Sequence, residues 1–336
     1  MRDSLIILNG ANQVHVAFGE AAGAEKLLIE ERVKKRQFAP LKAFRLLKNS
    51  LSVPGDYRNI LCESCYYYPA IKRRLLGLKS RIININCGPL IYNIHSGRLK
   101  GAEGRVLRSL LKEVDAHLVF GSYGMELIEK IDSGKPTGIV YPYIGEDRYD
   151  ALLSMKPRLD GKEMTLIGND DLSCKGIDIA VKAFNRALES DKELRLNIVT
   201  NIPEDGVLSL DGRQSGQIKV LNGVKDIKEV LARTSLYLHP SRGDTFPRAS
   251  LEAMLAGVPV IVSEETGTKE LVEKADGEML CRLDDNDLAG RIVDYFGLSS
   301  KERQKRSKKM RELAKPFNKE EQLERFRKEF QKLKVR

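Results

Sequence analysis

The segment from residue 239 to residue 272, HPSRGDTFPRASLEAMLAGVPVIVSEETGTKELV, carries the residues whose types and spacing best suit chemistry. An apolar strand ends at His239, a loop of small and turn-forming residues follows, and a helix begins near Pro247, a residue suited to a first helical position. The first turn of a helix offers free N–H groups and a positive dipole end, which attract phosphate. Asp244 in the loop and Glu252 in the helix are carboxylates that can accept hydrogen bonds from sugar and ribose hydroxyls.

This acidic pair resembles the donor-binding signature of the family-four retaining glycosyltransferases, E-x7-E followed by A-M, a Gly-x-Pro turn and a strand. The matching residues here are Asp244-x7-Glu252, Ala253-Met254, Gly257-Val258-Pro259 and Val260. The first acid is Asp and not Glu, which keeps the charge but shortens the reach by one methylene. The resemblance implies that Asp244 orients a donor sugar and Glu252 a ribose, and that Thr245, Phe246 and Arg248 also lie at the donor. Because Pro247 replaces a glycine of the family's G-F-G, one backbone N–H is lost.

A second match begins at Leu166-Ile167-Gly168 and continues, after a polar loop, with Lys175-Gly176-Ile177-Asp178 and a helix. It resembles the strand–loop–K-G element of the same family, in which the lysine meets the donor's diphosphate. A departing nucleoside diphosphate gains negative charge, which fixed cations and helix N-termini stabilise when no metal is used. The family usually has an Arg after the glycine. Here Asn169 stands at that donor position, so Arg248 or Arg242 is expected to compensate.

Weaker matches add residues outside these two segments. Asn222-Gly223-Val224 resembles the loop that reads the base through backbone groups, which places Val224 at the donor. After the strand at residues 81–86 the family commonly has a His near the donor sugar, but this chain has Cys87. His95 and His15 are the alternatives, and Cys87 and His95 join Asp244 and Lys175 as catalytic candidates. The loop at Gly10 is expected to approach the phosphates or the acceptor.

Alternating apolar runs and helical patterns surround these residues. Strands are predicted at residues 5–8, 59–62, 81–86, 116–120 and 138–141, and then at 164–167, 194–200, 218–222, 236–239 and 258–262. Helical spacing lies between them at residues 21–36, 41–48, 68–76, 103–112 and 123–131, and again at 176–189, 227–233 and 249–256. This alternation favours parallel sheets covered on both faces.

The length of 336 residues favours two domains. We expect an α/β fold of two Rossmann-like domains facing a cleft, which the resemblance identifies as GT-B. The predicted domains are residues 1–155 on the acceptor side and residues 156–318 on the donor side. Residues 319–336 form a tail helix with apolar residues at helical spacing, and it resembles the family's C-terminal helix that crosses back to the first domain.

The net charge of +10 is unevenly distributed, because residues 25–112 contain 19 Lys and Arg against 6 Asp and Glu. Within residues 25–49 cations alternate with apolar residues, which suits a surface that settles into an anionic interface. The plainer interpretation is a solvated helical face whose apolar side packs on the core. No stretch of about 18 apolar residues occurs, so a membrane span is not expected. The pattern therefore predicts a cytoplasmic enzyme held peripherally on an anionic membrane.

Several other interpretations are disfavoured. Five cysteines in a long chain indicate a reducing compartment, and Cys62 and Cys65 are interpreted as ordinary thiols.

Asp285-Asn286-Asp287 matches a D-x-D metal motif, but it precedes a helical run and is interpreted as a helix cap. The chain has no G-x-G-x-x-G after its first strand, which weakens a dehydrogenase hypothesis. No metal and no cofactor are expected, and without a nucleic-acid reader motif neither is nucleic acid.

Together these observations predict a retaining, metal-independent glycosyltransferase that moves a sugar from a nucleoside-diphosphate sugar to an acceptor. The expected acceptor is a glycan or a lipid-linked, membrane-borne molecule. The resemblance implies front-face attack, with the leaving diphosphate helping to deprotonate the acceptor. The alternatives are a non-catalytic GT-B relative that only binds nucleotide sugars and, from another class, a basic nucleic-acid-binding protein.

Overall fold

The computed structural model describes residues 1–10, 12–29, 39–168, 172–210 and 216–334. The chain divides into two compact units. Unit 1 comprises Met1–Pro142 and Glu320–Arg336, and unit 2 comprises Tyr143–Lys319. None of the described helices is both long enough and apolar enough to cross a membrane.

Unit 1 is built on a six-stranded sheet whose neighbouring strands are all parallel. Its strands are β1 (Arg2–Leu8), β2 (Glu25–Leu28), β3 (Tyr57–Glu63), β4 (Arg81–Asn86), β5 (Ala116–Phe120) and β6 (Thr137–Val140), in the spatial order β2-β1-β3-β4-β5-β6. The helices between them are α1 (Gln13–Ala21), α2 (Ala39–Ser52), α3 (Tyr67–Leu76), α4 (Leu90–His95), α5 (Gly101–Leu111) and α6 (Gly121–Ile131). Continuous burial along β5 confirms that the sheet is covered on both faces.

The helix predicted at residues 21–36 is wrong over the part that the structure describes. Helix α1 ends at Ala21, and Gly23 takes a left-handed φ of +62° that the helix could not continue. Residues 25–28 then form β2 at the edge of the sheet, with Glu25 opposite Leu5. Residues 30–38 lie outside the described residues.

Unit 2 repeats the plan with a second sheet of parallel strands. Its strands are β7 (Glu163–Ile167), β8 (Arg195–Val199), β9 (Ile218–Leu221), β10 (Leu236–His239), β11 (Val260–Ser263) and β12 (Leu280–Cys281). Its helices are α7 (Glu146–Leu153), α8 (Ile177–Ser190), α9 (Glu204–Leu208), α10 (Ile227–Leu231), α11 (Arg248–Leu255), α12 (Lys269–Ala275), α13 (Asp285–Gly297) and α14 (Ser300–Ala314), with a short 3-10 helix at Gly277–Met279.

The strand order of unit 2 is β12-β11-β10-β7-β8-β9. From β7 the chain builds outward through β8 and β9, and it then returns to place β10 on the other side of β7. The direction of the strand order therefore reverses between β7 and β10. At such a switch point the two loops that follow the strands diverge and leave a crevice, where open α/β sheets bind ligands.

Helix α7 belongs to unit 2 because it packs against residues of that unit. The Tyr149 hydroxyl donates to the Lys315 carbonyl at 2.6 Å, and the Ile144 N–H donates to the Phe317 carbonyl at 2.9 Å. These bonds tie α7 to the residues that follow α14. Unit 2 accordingly starts at Tyr143, before the boundary at 155/156 expected from the linker-like sequence.

The last helix, α15 (Lys319–Lys334), returns to unit 1. Phe326 lies stacked on Phe18 of α1, with ring centroids 4.4 Å apart and planes 5° from parallel. The Lys334 ammonium is 2.6 Å from the carboxylate of Asp3. The expectation that the tail helix packs back on the first domain is confirmed.

Candidate functional site

Two loops meet at the switch point of unit 2. The loop after β7 and the loop after β10 are joined by a hydrogen bond from the Arg242 N–H to the Cys174 carbonyl, 2.8 Å long. Gly176 has a φ of +67°, and a Cβ at this position would lie 1.8 Å from the Pro240 carbonyl oxygen. Only glycine fits here, because both the backbone angle and the close approach exclude a side chain.

A third loop, after β11, fixes the far side of the loop that carries Asp244. The Gly243 N–H donates to the Glu265 carbonyl at 3.1 Å, and the Gly267 N–H donates to the Asp244 carbonyl at 2.8 Å. A Cβ on Gly267 would lie 1.5 Å from the Thr245 carbonyl oxygen. The backbone around Asp244 is therefore held on both sides by neighbouring loops.

Asp244 lies at the centre of a charged cluster. Its carboxylate forms an ion pair with the Lys175 ammonium, and its Oδ2 lies 3.3 Å from Nε2 of His239. Burial alone would raise the pKa of Asp244, but the Lys175 charge and the His239 contact outweigh it and hold that pKa well below its usual range. The pKa of His239 is lowered by complete burial, against the attraction of Asp244. A neutral His239 can therefore donate Nε2–H to an ionised Asp244.

Glu252 has a different environment on α11. It is 6% exposed, and its Oε1 lies 3.4 Å from Nη1 of Arg148. Burial raises the pKa of Glu252, although the charges of Arg148 and Arg248 act in the opposite direction. Asp244 is thus a strongly ionised group, whereas Glu252 lacks a close cation that is buried with it.

Glu252 also lines a cavity of about 270 Å³ beside the switch point. The ends of β7 and β8 and the loops after β7, β8 and β9 form its walls, together with α11 and one residue each of α7 and α10. The lining residues are Arg148, Ile167, Gly168, Val199, Thr200, Asn201, Gly223, Val224, Lys225, Ile227, Ala249 and Glu252. This volume is close to the lower limit of about 300 Å³ for small-molecule sites. It suits one part of a larger ligand, and neither Lys175 nor Asp244 lines it.

Two helices begin near the Lys175–Asp244 pair. Helix α8 follows Gly176 and α11 follows Pro247, and in both cases no side chain caps the first turn. The Ile177 N–H, the first of α8, already donates to the Leu172 carbonyl at 2.9 Å, so an anion at α8 would meet the N–H groups that follow it. The side chain of Arg248, the first residue of α11, is exposed.

Comparisons with known proteins agree with this geometry. Residues 161–296 match the family of glycosyl transferases group 1. Sucrose-phosphate synthase from Thermosynechococcus elongatus has a similar structure, with a TM-score of 0.72 over 100% of both chains at 16% identity. Anabaena Alr3699/HepE in complex with UDP and glucose gives a TM-score of 0.66 over 99% of both chains at 14% identity. The family match covers residues 161–296, about two fifths of the chain, and the chain as a whole has the GT-B fold.

The family assignment made from residues 239–272 is therefore confirmed. A phosphatidyl-myo-inositol mannosyltransferase of Mycobacterium tuberculosis is 23% identical over 218 residues, which are 61% of this chain and 56% of that relative. The chain thus spans about half the length of the curated relatives it matches.

Several residues that the sequence pattern assigned to the donor have buried side chains or a charged partner elsewhere in unit 2. Phe246 is 4% exposed, and its ring stacks on Phe317 at 5.5 Å. Thr245 is 1% exposed, and its hydroxyl has no hydrogen-bond partner among the described residues. The Arg242 guanidinium is bound to Asp178 through two contacts of 2.8 and 2.9 Å, so it is already neutralised. Asn169 lies outside the described residues.

Sequence reasoning missed His239 as a site residue. The residue was interpreted only as the end of a strand, since a buried His at that place has no motif of its own. Its position directly after the buried run Leu236–His239 is the signal that could have found it, because the last residue of a parallel strand points to the ligand edge of the sheet.

The residues of unit 1 that the sequence offered as site candidates lie in separate environments. Cys87 lies just after β4, close to His15 and Glu63. The pKa of His15 is raised to about 10, since Cys87 and Glu63 together outweigh the lowering effect of burial. His95 ends α4 with its side chain exposed and is not part of this group. Gly10 has a φ of +100°, with open space where a Cβ would lie.

The two sequence motifs that suggested metal or redox chemistry have structural roles. Cys62 and Cys65 are buried free thiols. The D-x-D residues lie in the first turn of α13, where Asp284 provides the cap by accepting from the N–H groups of Asn286 and Asp287 at 3.0 and 2.9 Å. The motif thus marks a helix start, although the capping residue is the Asp immediately before it.

Proposed function

We propose that this protein is a retaining glycosyltransferase that binds a nucleoside-diphosphate sugar in unit 2 and transfers the sugar to a membrane-borne acceptor. The observation that carries the proposal is the Lys175–Asp244–His239 cluster. It lies at the switch point, next to two uncapped helix N-termini and near a cavity that contains Glu252. We assign the cavity to the nucleoside, the helix N-termini with Lys175 to the diphosphate, and Asp244 to the sugar.

The cavity is assigned to the nucleoside. The Glu252 carboxylate accepts hydrogen bonds from the ribose hydroxyls, and the backbone at Gly223 and Val224 reads the base. A buried carboxylate without a close buried cation gains most from such donors. The Anabaena relative was solved with UDP and glucose, which makes UDP the first nucleotide to test.

The diphosphate is assigned to the space between Lys175 and the first turns of α8 and α11. Leaving-group charge there is stabilised by one ammonium, by the exposed guanidinium of Arg248 and by the positive ends of the two helix dipoles. Metal-independent chemistry is proposed because these groups supply positive charge from the chain itself. The exposed side of Asp244, 16% of its side chain, is assigned to the hydroxyls of the donor sugar.

We base the proposed retention of anomeric configuration on the resemblance to the family and on the ionised state of the Asp244 carboxylate. A carboxylate held by Lys175 and His239 is suited to orienting a hydroxyl. The leaving diphosphate then helps to take the proton of the acceptor hydroxyl, as front-face attack requires.

A membrane-borne acceptor is supported by the surface of unit 1. Phe44, Leu47 and Leu51 on α2 are exposed, as are Leu75 and Leu76 on α3 and Val106 on α5. Helix α3 packs against both α2 and α5, so the three helices that carry these side chains are neighbours. Arg45 and Lys48 are exposed on α2 among them. Apolar residues interleaved with cations favour peripheral attachment to an anionic leaflet, here proposed as the cytoplasmic one. The cations at residues 32–36 lie outside the described residues.

A thermal-shift screen of UDP, GDP and ADP tests the nucleotide site. A ligand at 100 times its dissociation constant stabilises the folded state by about 2.7 kcal/mol, which is readily detected. Glu252→Ala should abolish the shift for the free nucleotide, whereas Asp244→Ala should preserve it and mainly lower turnover. If none of the three nucleotides stabilises the wild type, or if the effects of the two variants are exchanged, the assignment of the site is wrong.

The second candidate function, binding of nucleotide sugars without transfer, is favoured by the replacement of the family's His with Cys87. Release of free nucleoside diphosphate from the donor distinguishes the two. An enzyme releases it by transfer or slow hydrolysis, and Asp244→Ala should stop the release. A pure binding protein should return the donor unchanged after prolonged incubation.

A further inference from the structure

Three side chains with different ligand chemistry meet at one edge of unit 1. His15 lies on α1, Glu63 is the last residue of β3, and Cys87 follows β4. A ring nitrogen of His15, a carboxylate oxygen of Glu63 and Sγ of Cys87 all lie within 4.8 Å of one another. The carboxyl ends of parallel strands gather at this edge, which is where open α/β sheets bind ligands.

The three side chains interact directly with one another. His15 is 4% exposed, and its Nδ1 lies 2.5 Å from Oε1 of Glu63, at ion-pair distance. A buried ring nitrogen that faces a carboxylate and a thiol in this way is arranged as a ligand atom. The other oxygen of Glu63 accepts the Asn9 N–H at 3.3 Å, which fixes the orientation of the carboxylate.

The backbone is strained beside this cluster. Ser64 has a φ of +54°, and it is the single non-glycine residue with a positive φ in the described part of the chain. Its hydroxyl lies 3.5 Å from Sγ of Cys87, and its N–H donates to the Ile85 carbonyl at 3.0 Å. The strained residue thus joins the ends of β3 and β4, which carry two of the three groups. Strain of this kind concentrates at functional sites.

We propose that His15, Glu63 and Cys87 form a Zn²⁺ site with three protein ligands and an open fourth position. Imidazole nitrogen, carboxylate oxygen and thiolate sulfur are the ligands that Zn²⁺ takes, whereas Mg²⁺ and Ca²⁺ take oxygen alone. In a tetrahedral zinc shell the ligand atoms lie roughly 3–4 Å apart. The present spacing needs side-chain adjustments of about 1 Å to reach it. Three protein ligands are typical of zinc sites that bind water or a substrate oxygen at the fourth position.

The proposal does not depend on the donor site, because all three ligands belong to unit 1. It differs from the expectation drawn from the sequence, which assigned no metal to the chain. The Cys87 that replaces the family's His becomes a metal ligand in this proposal.

Metal titration of the full chain tests the site. Chelator-treated protein should bind one equivalent of Zn²⁺, and Co²⁺ in its place should give the visible absorption of a tetrahedral ion with a near-ultraviolet thiolate-to-cobalt band. Cys87→Ser should remove the thiolate band, and Cys87→Ser, His15→Gln and Glu63→Gln should each weaken Zn²⁺ binding at least 100-fold. Cys174→Ser is the matched control, since Cys174 is the other half-buried cysteine of the chain, and it should leave both readouts unchanged.

A second measurement uses only the wild-type protein, so it tests the site even if the variants fail to fold. Alkylation of wild-type protein, followed by peptide mass spectrometry, should show Cys87 protected by stoichiometric Zn²⁺ while Cys174 reacts equally with and without the metal. No stoichiometric binding, equal affinity in wild type and Cys87→Ser, or alkylation of Cys87 that Zn²⁺ does not slow would each overturn the proposal. Thermal shift by nucleotide should persist in all four variants, so failure of the metal site can be distinguished from failure of the donor site.

Discussion

Units 1 and 2 share a plan of six parallel strands and differ in how their candidate sites are made. In unit 2 the site consists of loops bonded to one another by backbone groups, with Gly176 and Gly267 where no side chain fits. In unit 1 the clustered groups come from residues 15, 63 and 87, and Ser64 joins the ends of the two strands next to Glu63 and Cys87. Every exposed large hydrophobic side chain in the described chain also lies in unit 1. The contrast fits the donor site proposed for unit 2 and the membrane-facing surface proposed for unit 1.

The largest difference between the units should follow substitution of their loop glycines. Gly176→Ala places a methyl group against the Pro240 carbonyl at a positive φ and should cost about 3 kcal/mol of unfolding free energy in unit 2. Gly10→Ala has a positive φ but open space, and it should cost only about 1 kcal/mol in unit 1. Hydrogen exchange resolved by peptide measures each unit separately. If both variants lost the same free energy of unfolding, the hydrogen-bonded loops of unit 2 would impose no special constraint at Gly176.

The next effect sharpens the assignment of unit 2 as the donor unit. Lys175→Ala removes a charge-assisted contact worth roughly 1.5–3 kcal/mol, which corresponds to about 10–200-fold in kcat/KM for the donor. Lys182→Ala, an exposed cation on α8, is the control and should leave kcat/KM unchanged. An unaltered kcat/KM in Lys175→Ala would remove this lysine from the diphosphate site.

Within unit 2 the two acids should have opposite effects on stability. The lowered pKa of Asp244 means that its ionised form favours folding. This contribution is complete above about pH 4, the ordinary carboxyl range, and is lost as the pH falls below it. The raised pKa of Glu252 means that its protonated form favours folding, and this contribution is lost as the pH rises through the raised value.

At pH 7, therefore, Asp244→Asn should lower the free energy of unfolding by about 2 kcal/mol, the size of a charge-assisted hydrogen bond. Glu252→Gln should leave it unchanged or slightly higher. Chemical denaturation at pH 7 and below pH 4 measures both variants against wild type, and the deficit of Asp244→Asn should shrink at the lower pH. Destabilisation of the same size in both variants, or a deficit independent of pH, would contradict the charge assignments.

The smallest effect per residue concerns the surface of unit 1. Arg45→Gln and Lys48→Gln should each weaken binding to anionic vesicles by about 1 kcal/mol, or roughly fivefold. Lys301→Gln and Lys308→Gln on α14 alter exposed cations of unit 2 and serve as the matched pair. Co-sedimentation at low and high salt measures the difference, because screening should abolish the attachment. Equal recovery with neutral and anionic vesicles would end the membrane hypothesis and leave the donor assignment intact.

The difference between units 1 and 2 also explains which features could be predicted from the sequence. In unit 2 the contacts that matter are local: Asp244 and Glu252 are eight positions apart, and the strand–loop–helix pattern around them is contiguous. Strands such as β5 and β10 were predicted within the observed bounds, since short apolar runs leave few alternatives. The apolar spacing of α15 likewise predicted a helix that packs.

Interactions between distant residues could not be predicted. The pairing of Arg242 with Asp178 withdraws a cation that was expected to serve the diphosphate, and only the fold brings these two residues together. Edge strand β2 has the composition of a helix, but Gly23 and pairing with β1 override local preference. The meeting of His15, Glu63 and Cys87 spans three elements and has no periodic signal.

The return of α15 to unit 1 affects the order in which the chain can fold during synthesis. Unit 2 is formed by contiguous residues, so it can fold while the last helix is still inside the ribosome. Unit 1 must wait for Phe326 to cover Phe18, because these stacked rings come from opposite ends of the chain. Until residues 319–334 have left the ribosome, unit 1 exposes part of its core, and a stop codon within this helix would release a folded unit 2 attached to an incomplete unit 1.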